Sequence, residues 1–484
     1  MMTTPIVPLQ LLVGGRWRDG AGPEIVSSNP ARPSEVVARG ASASGSDVGA
    51  AIAAAAAARD EWRRKPHHER GAILRRAASV LEVNAAALGA ELTREEGKTL
   101  TESTAEVHRA AQILDYYGSE ADRECGELYA SPRGGESILV TRHPLGVVAV
   151  ITPFNYPLAI PAWKIAAALT YGNTVVWKAA SVVPLLAQRL AQALVEAGLP
   201  DGVLNLLQGA GTIGQAMIEH DEVDAVTFTG SNAVGRALIA RCGVTATPLQ
   251  AEMGGKNAAV VLADADLDVA LDAVVAGAFR AAGQRCTATS RSIVHADIAD
   301  EFITRLVDRA DQITIGEPLD PATEMGPVVT EAARASIAAA VTAAESDASR
   351  LTTRTLSPDI DQGHYLTPTV LELSDTCASL WQEEIFGPVL AVVRATSTDD
   401  AFRLANDGQF GLSCSVFTQD SGTTLRAIDE IEVGVLHINS ESGGADPHVP
   451  FGGAKRSAFG PKEQGRAARE FFTSSRTIYL RSGR

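Results

Sequence analysis

Cys286 lies in the run Gly283-Gln284-Arg285-Cys286-Thr287-Ala288, downstream of Glu252 in Glu252-Met253-Gly254-Gly255-Lys256-Asn257. A thiolate adds readily to a carbonyl carbon, and a separate carboxylate can later deprotonate the water that releases an acyl group. Gly283 gives the backbone freedom to turn N–H groups toward an oxyanion. Asn155, in Thr152-Pro153-Phe154-Asn155-Tyr156-Pro157, follows an apolar strand and is flanked by prolines that stiffen its loop. Its amide is a neutral donor suited to a developing oxyanion, although asparagine also serves simply to form turns. A cysteine taken alone is more often a buried structural residue. Thiol, carboxylate and amide together point to acyl chemistry.

A second set of residues suits a nucleotide. Gly209-Ala210-Gly211-Thr212-Ile213-Gly214 follows a strand and matches a dinucleotide glycine pattern, a weak signal by itself. No acidic residue ends the next strand, which runs into Phe228-Thr229-Gly230-Ser231 and then a helix through Gly235-Arg236. The Ser231 hydroxyl and the first N–H groups of that helix are placed to receive a pyrophosphate. Ser231 carries more weight than the glycine pattern.

Composition narrows the function class. The chain has 484 residues and a formal net charge of −16, which disfavours nucleic acid and acidic membrane surfaces as partners. Its length suits roughly two to four domains. The five cysteines, Cys125, Cys242, Cys286, Cys377 and Cys414, are odd in number, far apart and without C-x-x-C spacing. Neither a disulfide framework nor a metal site is expected, and a reducing cytoplasm fits best. Met1 to Gln10 contains Pro5 and Pro8 and does not read as a signal peptide. The apolar stretches Val147–Ile151 and Val274–Ala282 are too short to span a bilayer.

The elements that must position these residues can be read from periodicity. Leu11 to Trp17 reads as a strand entering a glycine turn, and Ser46 or Asp47 as the cap of a helix over Ala50 to Arg64. Further helices are expected over His68 to Leu88 and Leu100 to Gly118, with His67 and His68 facing solvent. Ser137 to Arg142 alternates like a strand. The apolar strands Gly146–Ile151, Thr174–Lys178, Val203–Leu207 and Ala225–Thr229 then alternate with helices over Ala159–Tyr171, Val183–Ala197 and Gly211–Glu219. That pattern predicts a parallel sheet covered by helices on both faces. A second α/β run includes Ala258–Leu262, Asp268–Ala282, Arg291–His295 and Ile298–Ile313. Glu331 to Asp361 reads as helix plus loop.

Over nearly its whole length the chain resembles the aldehyde dehydrogenase superfamily. The resemblance is carried by Gly14-Gly15-Arg16-Trp17, Asn29-Pro30-Ala31, Pro153 to Pro157 and Gly172 to Lys178. It continues through Phe228 to Ser231, Glu252 to Asn257, Gly283 to Thr287, Glu383 to Val389 and Pro450 to Gly453. It implies a Rossmann-like cofactor domain, an α/β catalytic domain and a small β oligomerisation element. The expected ranges are 1–121 with 145–255 for the cofactor domain and 256–455 for the catalytic domain. The oligomerisation element takes 122–144 with 470–484, and a homodimer or homotetramer is expected because its edge strand needs a partner.

The resemblance also implies roles. Cys286 is the nucleophile, Glu252 the general base, and Asn155 with the Cys286 backbone N–H the oxyanion site. Lys164 aligns with a lysine proposed to assist proton movement near the base. Lys178 binds the adenosine ribose and Ser231 the pyrophosphate. Gly211 and Gly230 line the adenine-side path, with Thr152 and Phe228 in matching motifs beside the cofactor. Glu384 holds the nicotinamide ribose and Phe386 packs beside the nicotinamide. The presence of Glu252 favours hydrolysis of the thioester over transfer to coenzyme A.

The departures from the family pattern are informative. Ser181 stands three residues after Lys178, where many members carry a glutamate that repels a 2′-phosphate. The absence of that repulsion favours NADP while leaving NAD possible. Met253 replaces the usual leucine, and Phe154 stands where tryptophan is commoner. Motifs around Ile160–Ile165, Gln284–Arg291, Pro447–Gly453 and Phe459–Gly465 resemble the 2-oxoglutarate-semialdehyde dehydrogenase branch. A small acidic semialdehyde is therefore the expected substrate, with Tyr156, Trp163, Arg285, Thr287 and Phe451 lining its pocket. Arg285 either attracts the substrate carboxylate or turns away into a structural ion pair. An aromatic or aliphatic aldehyde dehydrogenase, or a superfamily member that binds without catalysis, are the alternatives.

Overall fold

The computed structural model describes residues 5–120, 122–123, 126–357, 360 and 362–481. Cys125 and the first four residues lie outside the described set, as do Pro358, Asp359 and Asp361 in the segment read as helix plus loop.

Five parallel strands, Val147–Ile151, Thr174–Lys178, Leu204–Leu207, Ala225–Gly230 and Leu249–Met253, form the centre of an eight-stranded sheet. Their unbroken apolar runs are what strands covered on both faces require, and Val147 through Val150 are fully buried. Leu11–Val13 joins one side antiparallel to Leu204–Leu207 and hairpins through Gly14-Gly15 into Arg16–Arg18. Ala458–Phe459 closes the other side against Leu249–Met253. The strand Val147–Ile151 lies between Thr174–Lys178 on one side and Ala225–Gly230 on the other. Successive crossovers therefore leave it in opposite directions, which opens a crevice beyond its C-terminal end.

Helices cover both faces. Helix α1 (Gly45–Arg64) buries Val48, Ala51, Ile52 and Ala55 on one face. On the other lie α2 (His67–Val83), α3 (Ala85–Glu96), α4 (Leu100–Glu120), α5 (Ala159–Thr170) and α6 (Pro184–Glu196). Helices α7 (Gly211–Ile218) and α8 (Asn232–Thr245) return to the α1 side. Two expectations are corrected here. The cap of α1 is Ser44: its hydroxyl accepts from Asp47 N at 3.3 Å, while the Asp47 carboxylate accepts from Ser44 N at 2.8 Å. This reciprocal box starts the helix a turn earlier than alanine content alone suggests. The expected single helix over His68–Leu88 breaks at Asn84, whose side chain donates to the Val80 carbonyl at 2.8 Å and whose backbone leaves helical geometry. His67 and His68 are exposed, as expected.

A second sheet of seven strands is built on Thr369–Leu373, Val389–Ala395, Thr289–His295, Asn257–Val261, Ser413–Phe417 and Val435–Ile438, all parallel, with Ala348–Arg350 antiparallel at one edge. Helix α9 (Leu267–Phe279) packs into its core. Leu249–Met253 ends in one sheet and Asn257–Val261 begins the other, so Gly254 to Lys256 form the hinge between them. Glu136–Pro144, Gly126–Ala130 and Thr473–Arg481 make a separate antiparallel sheet. Between Lys455 and Thr473 the chain returns to the first sheet, with Ala468, Phe471 and Phe472 entering its core. The sequence reading left that return unassigned.

Candidate active site

A cavity of about 1040 Å³ opens at the crevice beside Val147–Ile151. The strand ends supply Thr152, Phe154 and Asn155, then Lys178 and Ser181, then Phe228, Gly230 and Ser231. Gly211 and Gly214 of α7 border it, and Cys286, Glu384 and Phe386 form the wall from the second sheet. Every residue expected on the cofactor path therefore faces one space, together with Asn155 and Cys286.

One end of this space suits an anion. Lys178 is buried, and its ammonium makes no ion pair or hydrogen bond among the described residues; burial lowers its pKa to about 8. Helix α8 starts at Ser231 and α7 at Ala210, and neither start has a side-chain cap. Free N–H groups at two helix starts and a desolvated ammonium fit the phosphates of a dinucleotide. Only one of the two glycines of the path, Gly230, is required sterically. A Cβ on Gly230 would lie 2.6 Å from the Phe228 ring, and one on Gly211 would project into open space.

The other end is more constrained. Glu384 accepts from Gly255 N at 3.1 Å, and a Cβ on Gly254 would fall 1.8 Å from its carboxylate and displace it. Burial raises the Glu384 pKa to about 7 against the opposing pull of the Gly255 N–H and Lys256. Phe386 holds a left-handed φ of 57° and meets Phe154 edge-on at 5.8 Å between ring centres. A strained aromatic at a ligand cavity is where such conformations collect.

The nucleophile loop is tied at several points. Helix α9 ends at Phe279, and Ala281 and Ala282 both take φ of 51° before Gly283 at 70°. A Cβ on Gly283 would lie 2.2 Å from the Gly387 carbonyl oxygen, so this glycine is required by contact with the Glu384–Gly387 segment. The Asn257 amide donates to the Cys286 and Ala288 carbonyls, each at 2.8 Å, and its oxygen accepts from Ser413 N at 3.0 Å. Cys286 is half-buried at the surface of the cavity, with protein packed closely around its sulfur. That burial, followed by the charges of Glu384 and Glu252, pushes the thiol up to about 12, with Arg285 and the Thr287 N–H opposing. The Asn155 side chain is buried at the same cavity and makes no hydrogen bond among the described residues.

Glu252 sits behind this wall. Its carboxylate accepts from Gly453 N at 3.0 Å, and a Cβ on Gly452 would be 2.3 Å from it. Burial first and Glu463 second raise its pKa well above the usual carboxylate range, while the Gly453 N–H, Lys164 and Lys462 oppose them. Lys164 forms a buried ion pair with Glu463 and donates to Thr227 Oγ1 at 2.9 Å. Lys462 donates to the carbonyls of Gly452 and Gly453. Sequence reading found Lys164 but missed Glu463 and Lys462, since only the return of residues 456–472 to the first sheet brings them here.

The expected substrate-side residues divide. Trp163 and Phe451 pack together at 5.9 Å, and the Tyr156 ring lies over Lys98 Nζ at 4.1 Å. Thr287 is buried, with its carbonyl accepting from Ser442 Oγ at 2.8 Å. Of the two arrangements expected for Arg285, the structure has the ion pair. Arg285 donates to Glu441 at 2.7 Å and to the Ala276 and Gly277 carbonyls in the last turn of α9, each at 2.8 Å. The negative end of that helix and Glu441 together take both terminal nitrogens of its guanidinium.

The aldehyde dehydrogenase family profile matches residues 17–478. The chain belongs to the aldehyde dehydrogenase family. It is 40% identical to an alpha-ketoglutaric semialdehyde dehydrogenase of Bacillus subtilis, with 97% of each chain covered. It is 42% identical to an alpha-ketoglutarate semialdehyde dehydrogenase of Haloferax volcanii over 98% of this chain and 99% of the relative. The crystal structure of betaine aldehyde dehydrogenase from Staphylococcus aureus in complex with NAD+ superposes with a TM-score of 0.94 at 33% identity, covering 97% of this chain and 94% of that one. Among the described residues of this aldehyde dehydrogenase, no group of three metal-ligating side chains occurs. No helix among the described residues is long and apolar enough to cross a membrane.

A raised thiol pKa disfavours the thiolate at neutral pH. Alkylation of Cys286 by iodoacetamide in the ligand-free enzyme is therefore expected to accelerate steadily from pH 7 to pH 10. Mass spectrometry of the Cys286 peptide against time checks this, and a rate already level between pH 7 and pH 8 would contradict it.

Proposed function

We propose that this aldehyde dehydrogenase oxidises a small acidic semialdehyde, 2-oxoglutarate semialdehyde (2,5-dioxopentanoate) foremost, to the corresponding carboxylic acid. The substrate class rests on the full-length relatives that carry that activity in their names. The reaction rests on one observation above all: Asn155, from one sheet, and Cys286, from the loop of the other, face a single cavity with Glu252 behind it.

The roles follow from this arrangement. Cys286 passes its proton to solvent in the open cavity and its sulfur bonds to the aldehyde carbon, placing negative charge on the former carbonyl oxygen. The free amide of Asn155 and the Cys286 backbone N–H stabilise that oxygen. Collapse of the thiohemiacetal expels a hydride and leaves a thioester on Cys286. Lys178, Ser231 and Glu384 would hold a nicotinamide dinucleotide, which would supply the hydride acceptor. Glu252 then takes a proton from water, which attacks the thioester and frees Cys286. A buried carboxylate with raised proton affinity suits that step. Lys164 and Glu463 hold the far side of the base.

The dinucleotide is read as NADP in preference to NAD. Lys178 and Ser181 line the same end of the cavity, and a neutral hydroxyl there leaves the 2′-phosphate unopposed. The cofactor-binding unit is assigned to 1–121 with 145–255, the catalytic unit to 256–455, and the oligomerisation element to 122–144 with 470–484. A homodimer or homotetramer is read from the last of these. Thr473–Arg481 pairs on one side only, and Tyr479 and Leu480 are exposed on it. A cytoplasmic setting suits the free cysteines Cys242, Cys286, Cys377 and Cys414. The Trp163–Phe451 pair and the engaged Arg285 favour, as a second reading, an aliphatic or aromatic aldehyde.

An aldehyde panel assayed with both cofactors separates these readings. Highest kcat/KM is expected for 2-oxoglutarate semialdehyde, and a larger value for benzaldehyde or hexanal would move the assignment to the second reading. In the same assay Glu252→Gln is expected to release about one equivalent of reduced dinucleotide per site and then stall, with steady-state turnover down by roughly a hundredfold or more. An unchanged steady rate would remove Glu252 from the mechanism.

Ser181→Glu would place a carboxylate against the 2′-phosphate. Like charges about 4 Å apart cost roughly 4 kcal/mol at a surface-like dielectric, less with salt and movement. The KM for NADP is expected to rise more than about tenfold, with NAD far less affected. Equal shifts for both would take Ser181 away from the ribose.

Sedimentation velocity at working concentration is expected to show a dimer or tetramer. A monomer alone would contradict the role given to Thr473–Arg481.

A further inference from the structure

The two loops that meet at the substrate come from different sheets, yet both are anchored on the first turns of α4. Glu106, on the second turn, is 3% exposed. Its Oε1 accepts from Leu158 N at 2.9 Å and Ala159 N at 3.2 Å, the N–H groups that open α5. Helix α5 has no side-chain cap of its own, so a carboxylate from another helix takes that place. Asn155 and Tyr156 lie in the short stretch immediately before these two N–H groups. The second Glu106 oxygen accepts from Lys98 Nζ at 2.5 Å, and that ammonium lies 4.1 Å from the centre of the Tyr156 ring. The Asn155 loop is thus held from beneath by one carboxylate and one ammonium.

Glu102, one turn earlier, reaches the other loop. Its Oε1 accepts from Ala281 N at 2.8 Å, and its Oε2 accepts from Thr99 N and Oγ1 at 3.1 and 2.9 Å. Ala281 opens the left-handed pair Ala281–Ala282, both at φ of 51°, that leads through Gly283 to Cys286. Two consecutive alanines in that conformation are strained and persist only when their surroundings hold them. The Glu102 carboxylate is one such hold.

Packing alone does not account for this cluster. A buried Lys–Glu pair often contributes no more stability than apolar residues of the same volume. Lys98 is 3% exposed, and Glu96 beside it keeps one carboxylate oxygen with no partner among the described residues. A charged cluster of this kind sets geometry rather than adding stability.

We propose that Glu106, braced by Lys98, and Glu102 are positioning residues for the oxyanion site: Glu106 sets Asn155 through the first turn of α5, and Glu102 sets the turn that delivers Cys286. Helix α4 then fixes the separation between the amide and the sulfur. This rests on Asn155 being the oxyanion donor, as read above.

The test is a double-mutant cycle on the single-turnover rate of dinucleotide reduction, with Asn155→Ala, Glu106→Gln and the double variant. Glutamine keeps an oxygen for the two α5 N–H groups but turns an NH₂ toward Lys98, shifting the loop without removing the cap. Asn155→Ala is expected to slow the step by about 10²–10³-fold, as loss of an oxyanion donor does. Glu106→Gln is expected to slow it by roughly tenfold or more with dinucleotide affinity unchanged. The double variant is expected to be no slower than Asn155→Ala, because Glu106 acts only through that amide. A double variant whose loss equals the product of the single losses, or Glu106→Gln at the wild-type rate, overturns the proposal. Wild-type speed in Asn155→Ala would instead overturn the oxyanion reading, whatever Glu106→Gln does. If Glu106→Gln does not fold, half-buried Glu102 carries the test. Glu102→Ala is expected to slow the same step by roughly tenfold, with Glu102→Gln restoring it through an oxygen that still accepts from Ala281 N. Glu102→Ala at the wild-type rate overturns the proposal.

Discussion

One side-chain amide holds Cys286, the proposed nucleophile, in register with the rest of the site. Asn257 begins the second sheet immediately after the Gly254–Lys256 hinge, and its side chain binds the carbonyls on both sides of Thr287 and the backbone of Ser413. Each bond adds about 0.5–1.5 kcal/mol net, but leaving two carbonyls unpaired in a buried loop costs more than their formation adds. The same loop presses Gly283 against Gly387, at the end of the segment that brings Glu384 and Phe386 to the same cavity wall. Position of the sulfur and shape of the cofactor wall are consequently one constraint.

The electrostatics of the site depend on that enclosure. Burial first, and the charges of Glu384 and Glu252 after it, raise the Cys286 pKa and so favour the thiol over the thiolate. Glu252 has a raised proton affinity for a related reason: it is buried near Glu463, with Lys164 only partly offsetting the pair. A carboxylate with that affinity can take a proton from water while the thioester waits. Lys178 shows the opposite effect of the same burial, an ammonium whose charge is weakly held until an anion joins it.

Local sequence revealed the elements but not their long-range partners. The strands Val147–Ile151 and Thr174–Lys178 and helix α5 could be read from apolar runs and helical spacing, since burial of a strand on both faces leaves a direct mark in residue type. Residues in short motifs were legible too, and every cofactor-path residue reached one cavity. Glu463 was not, because Lys164 meets it across 299 positions and nothing beside it marks a buried acid. Nothing in the local sequence sets Glu102 and Glu106 apart within the helix expected over Leu100 to Gly118. The α1 cap and the break at Asn84 escaped for a different reason: alanine-rich periodicity continues through both, and only side-chain hydrogen bonds to the backbone decide where the helix starts and stops. Arg285 was ambiguous in sequence because a guanidinium suits a substrate carboxylate and a helix end equally well. The carbonyls of Ala276 and Gly277 decide it.

In the mechanism proposed above, Cys286 carries the acyl group between oxidation and hydrolysis. The direct measurement is peptide-mapping mass spectrometry of the Glu252→Gln enzyme, quenched in acid after a single turnover with 2-oxoglutarate semialdehyde and dinucleotide. The account predicts the mass of the bound acyl group on the peptide containing Cys286, and on no other cysteine peptide. An unmodified Cys286 peptide beside one equivalent of reduced dinucleotide would contradict it.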